Sequence, residues 1–117
     1  MYTERDNKTV SVLGTEYSIK FVPEEELDKR GINGYCDEST KEIVVGIFVP
    51  AEGKLADLST YQKKVLRHEI IHAFFFESGL AECSGSVNSW ADNEEMVDWI
   101  AHQHNKLHAV FEQAGAL

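Results

Sequence analysis

His68, Glu69 and His72 stand in "RHEIIHAFFFESG", residues 67–79, and their types and spacing are those of a metal-dependent hydrolase. Two histidines four apart on a helix project from one face, about one turn apart. Their ring nitrogens can then converge on a single ion at about 2.0–2.1 Å each. Glu69 falls beside them, placed to touch a metal-bound water rather than to act as a ligand. The plain alternative is a buried helix whose two histidines are satisfied by neighbours. It is disfavoured because two imidazoles and a carboxylate in an otherwise apolar stretch are costly unless they share work.

A catalytic zinc ion usually takes three protein ligands plus solvent, so Zn2+ here requires a third donor. A continuation of the motif with Gly and His after His72 is absent, since Phe75 and Ser78 occupy those positions. The candidates lie in "DNEEMVDWIA". Glu94 and Asp98 are four apart and share a face. Glu94 would complete the coordination, while Asp98 accepts the second ring N–H of a ligand histidine and fixes its tautomer. Glu95, a quarter-turn away, is the fallback ligand. An acidic first helical turn favoured by the helix dipole is the bland account of both glutamates. His104 and His108 repeat the four-residue spacing without a Glu between them, and no second metal site is expected there. His102, Tyr35 and Tyr61 are candidates for hydrogen-bond donors at the site edge. Phe74, Phe75 and Phe76 read as core, with room for one to line a cleft.

The elements that must position these residues form an α+β pattern, strands first and two long helices after. In "TVSVLGTEYSIKFV", Tyr17, Ile19 and Phe21 alternate with Ser18 and Lys20 as on a half-buried strand. Gly14-Thr15 suits the centre of a tight hairpin. Pro23 opens a short acidic helix closed by Gly31. "GYCDESTKEIVVGIFV" reads as a second hairpin turning at Glu38 to Thr40, with Ile43 to Val49 as a buried strand. After a loop, Ser59 with Gln62 forms a capping box for a helix that runs to about Ser78 and ends at Gly79. "LAECSGSVNS" is expected to be loop. A last helix starts near Asp92, capped with Glu95, and carries the apolar stripe Met96, Ile100, Leu107 and Phe111.

With 117 residues, the chain is expected to be one domain, 1–117. Its charge of -9 repels phosphate backbones, so nucleic acid is not an expected partner. No apolar run approaches the roughly eighteen residues that span a bilayer, and no secretory signal is visible, which points to the cytoplasm. Cys36 and Cys83 are accordingly expected to be reduced thiols.

"NEEMVD" resembles the Asn-Glu-x-x-x-Asp signature of thermolysin-like gluzincins, which favours Glu94 over Glu95. Together with "RHEIIHAFFFESGL", it makes the chain similar to short phage- or prophage-borne members of the ImmA/IrrE metallopeptidase family, over roughly Leu66 to Gln103. The resemblance implies a small zincin-like fold: an antiparallel or mixed sheet, then an active-site helix, then a third-ligand helix. It also implies zinc on His68, His72 and Glu94, with Glu69 as catalytic base. Peptide or protein substrates follow from it, a repressor or other regulator among them. The chain departs from the family in leaving no room for a helix-turn-helix domain, and in ending on "HQHNKLHAVFEQAGAL". A substrate peptide is expected to lie along a sheet edge, taken as the strand within Ile43 to Val49. The rival reading is a catalytically silent zincin-fold binding or regulatory module of a phage or mobile element. The intact Glu69 argues against it.

Overall fold

In the computed structural model, which describes residues 2–50, 57–83 and 93–117, four strands form one mixed sheet backed by helices. A 3-10 turn at Glu4–Asp6 leads into β1 (Lys8–Val12) and β2 (Thr15–Pro23). The short helix α1 (Glu25–Asp28) precedes β3 (Gly34–Asp37) and β4 (Glu42–Ile47). Then come the long helix α2 (Leu58–Glu77), a single turn α3 (Leu80–Cys83) and α4 (Glu94–Gln113). The domain is therefore α+β.

The sheet order is β1-β2-β4-β3, with β1 and β2 antiparallel, β2 and β4 parallel, and β4 and β3 antiparallel. Tyr17, Ile19 and Phe21 are buried on one face, and the parallel register sets Ile43 beside Ile19 and Val45 beside Phe21. Leu58, Val65 and Ala73 of α2 close the core over these side chains. Ile43, Val44 and Val45 are buried in succession, as in a strand covered on both faces. β4 is thus interior, and its backbone groups are taken by β2 and β3. The expected substrate edge at Ile43 to Val49 is corrected: among the described residues, the edge strand beside α2 is β3.

Local chemistry also shifted several boundaries. The first hairpin turns on Leu13 and Gly14 rather than Gly14 and Thr15, because Thr15 already pairs with Val12. Both turn residues have positive φ, 50° and 88°, as a type I′ turn requires. Asp57, not Ser59, caps α2 by accepting from the Thr60 N–H at 3.0 Å. Gln62 is instead fully buried: its Oε1 accepts from Tyr2 N and its Nε2 donates to Gly46 O, each at 2.9 Å. The helix does end before Gly79, whose φ is +81°. Leu80–Cys83 is a helical turn where loop was expected.

The last helix begins at Glu94 with Asn93 as its cap, its Oδ1 accepting from Met96 N at 2.9 Å. The expected cap, Asp92, lies outside the described residues, as do residues 51–56 and the rest of 84–92. Val97 and Ala101 are the buried residues of α4, whereas Met96, Ile100 and Leu107 are half-buried and Phe111 is exposed. The packing face is rotated from the apolar stripe because α4 turns its site carboxylates toward α2. No helix among the described residues is long and apolar enough to cross a membrane.

Candidate metal centre

Helix α2 carries His68, Glu69 and His72 at mid-length, and the first two turns of α4 carry Glu94 and Asp98. The helices are tied beside the site by polar contacts. Arg67 Nε donates to the Ala101 carbonyl at 2.8 Å, and Lys64 Nζ meets Asp98 Oδ1 at 2.8 Å. The small side chain of Ala101 and the branched Val97 are buried here.

The Glu94 carboxylate spans both imidazoles. Its Oε2 is 3.0 Å from His68 Nε2 and its Oε1 is 2.9 Å from His72 Nε2. His68, His72 and Glu94 each offer one donor atom within 4.8 Å of the others, and this group could hold a metal ion. Glu95 is exposed and stands outside this group. On the other side of His68, Nδ1 is 3.2 Å from Asp98 Oδ1. Lys64 above all, and then His68, hold the Asp98 carboxyl below its ordinary range. The two ring nitrogens of His68 thus face two carboxylates, Nδ1 toward Asp98 and Nε2 toward Glu94.

Glu69 is buried beside this group, with Gly34 of β3 against it: a Cβ at Gly34 would lie 3.5 Å from Glu69 Cγ. Burial first, then the Glu94 charge, pushes the Glu69 carboxyl up to about 7. Cys36, a free half-buried thiol, lines the same cleft. Burial, followed by the Glu69 charge, pushes it up to about 12, which leaves it neutral and poorly suited to ligation or attack at neutral pH. The cleft occupies about 560 Å³ between α2, α4 and β3. Phe76 stacks on the His72 ring at 6.2 Å and forms one wall, while Phe74 is exposed.

The remaining candidates divide. Tyr35 and Tyr61 line the cleft; Arg30 lies over the first, and Asn33 Nδ2 donates to the hydroxyl of the second. His102 is exposed on α4 and does not line it. His104 and His108 stack at 6.0 Å, and His108 approaches Glu112 at 3.7 Å, but no three-donor group forms there among the described residues. Sequence reasoning overlooked Gly34 and Lys64 as parts of the site. Signals for both exist: a glycine opening a strand marks close backbone approach, and Lys64 precedes His68 by one helical turn.

Comparison of the chain with protein-family models, with curated proteins and with solved structures finds no match. The functional reading rests on the geometry and the motif.

Proposed function

We propose that this chain is a zinc-dependent peptidase of the gluzincin type, akin to the ImmA/IrrE family, with a zincin-like fold. One observation carries the reading. Two imidazole nitrogens and a carboxylate from a second helix meet at 2.9 and 3.0 Å, with buried Glu69 alongside, at a cleft bounded by an open strand edge. Donors around a tetrahedral ion with bonds of 2.0–2.1 Å lie about 3.3 Å apart. The three donors here all lie within 4.8 Å of one another, so an ion would draw them together.

His68 and His72 would hold zinc through Nε2 and Glu94 through its carboxylate, while Asp98 orients His68 through Nδ1. When bound, zinc supplies Lewis-acid polarisation of the scissile carbonyl and brings the pKa of water toward neutrality. Glu69 then takes the proton from the attacking water and delivers it to the leaving amine nitrogen. β3, an edge strand among the described residues, would offer its outer backbone N–H and C=O groups to an extended peptide, which orients the scissile bond. Glu69 stays buried in the cleft wall, with solvent limited to its exposed side.

The test is metal content per chain together with cleavage of a denatured protein. We expect one zinc per chain in the wild type and in Glu69→Gln, and none in His72→Ala. Cleavage should fall at least a hundredfold in Glu69→Gln, the upper reach of a general base being roughly 10²–10⁴. Zinc retained without any wild-type cleavage would favour the silent binding module.

A further inference from the structure

We propose that Arg30 is a specificity-determining residue of the cleft and selects a substrate bearing an aspartate or glutamate side chain, an inference that rests on the peptidase reading above. Among the described residues, two basic side chains line the cleft, Arg30 and Lys64. Lys64 is already committed: it pairs with Asp98 at 2.8 Å, and its side chain is only 19% exposed. Arg30 is exposed and forms no ion pair among the described residues. That isolation is informative in a chain with 20 acidic and 11 basic residues, where carboxylates are plentiful.

The guanidinium is also held in place. Its carbon lies 4.6 Å from the centre of the Tyr35 ring. Stacking on an aromatic face restrains a flexible side chain while leaving the N–H edge free for two parallel bonds to a carboxylate. Arg30 and Tyr35 bracket the start of β3, the strand edge along which a peptide would run. Successive side chains of an extended peptide alternate in direction, so every second one passes on the Arg30 side. A carboxylate there would meet a cation with no ion-pair partner among the described residues to displace. A neutral residue would leave it merely solvated.

The probe is a set of acetylated, amidated peptide libraries in which glutamate replaces glutamine at one position at a time. Blocked ends keep a terminal carboxylate from being read instead. Both cleavage by the zinc-loaded protein and binding to its Glu69→Gln variant, by fluorescence anisotropy, are measured. At one position we expect about a five- to tenfold preference for glutamate, expressed in KM and in binding. Arg30→Gln should reduce that ratio to near one, and Arg30→Glu should turn it toward lysine. Because Arg30 is exposed, circular dichroism should show both variants folded. A glutamate preference kept in Arg30→Gln, or no preference in the wild type, overturns the assignment and leaves the peptidase standing. If no library is cleaved or bound, the peptidase reading falls and Arg30 falls with it.

Discussion

Glu77 ends α2 as one carboxylate gripped by three partners: Lys41 Nζ at 2.7 Å, the Tyr17 hydroxyl at 2.7 Å and Thr15 Oγ1 at 2.9 Å. Lys41 foremost, then Tyr17 and Thr15, bring the Glu77 carboxyl down to about 2 from its ordinary 4.5. A depressed carboxyl stabilises the fold above its unfolded pKa and loses that contribution as pH falls toward the folded one. The stability gap between the wild type and Glu77→Gln should therefore be constant above about pH 5. It should narrow between pH 4.5 and 2. Urea unfolding midpoints across that range check it, and a gap independent of pH would assign the contribution to shape rather than charge. The same residue scale is where the sequence spoke most clearly about the site. His68 and His72 share a helix face by spacing alone. Asp98 falls one turn after Glu94, and the structure sets it on His68 Nδ1. Glu77 was opaque, because its three partners come from β2 and a turn distant in sequence.

At the scale of elements, β3 and α2 approach closely because Gly34 has no side chain. A Cβ there would lie 2.8 Å from the Val44 carbonyl oxygen and 3.2 Å from Val65 Cγ1. The oxygen is backbone of β4 and cannot swing aside, so Gly34→Ala must shift the edge strand against β4 and against Val65 of α2, and with it the wall beside Glu69. We expect a loss of about 1–3 kcal/mol of stability by thermal or chemical unfolding, as for other overpacked sites. We also expect a larger loss of cleavage than of zinc binding, because α4 and the histidines stay in place. Equal losses of both would mean that the whole cleft had collapsed. Elements themselves were largely legible: both hairpins, α1 and α2 lie close to where periodicity and Pro or Gly punctuation put them. Caps were not. Asp57 won over Ser59 because its carboxylate reaches both Thr60 N and Thr60 Oγ1. Gln62 was drawn instead into a buried bridge between Tyr2 and Gly46.

For the whole molecule, the candidate centre joins the two long helices, so a bound ion would clamp α4 to the sheet-bound α2. An ion at a hundred times its dissociation constant stabilises the folded state by about 2.7 kcal/mol. In a domain of this size that corresponds to roughly 10 °C in the unfolding temperature. Chelation should thus lower the unfolding temperature of the wild type by about that much and leave His72→Ala unmoved; differential scanning calorimetry would show it. An equal response in both would place the ion elsewhere. By itself the sequence determined the chemistry that rides on local spacing: two imidazoles and Glu69 on one helix, Glu94 and Asp98 on another, strands before them. Helical and strand periods are properties of a few neighbouring residues, and they survive without knowledge of the rest. Only the tertiary structure decided that β4 is interior and β3 the open edge, that Glu94 rather than Glu95 meets both histidines, and that Arg30 is left with no carboxylate partner among the described residues. Those outcomes depend on sheet order and helix rotation, which are set by burying Val44, Val97 and Ala101 against partners far away in the chain.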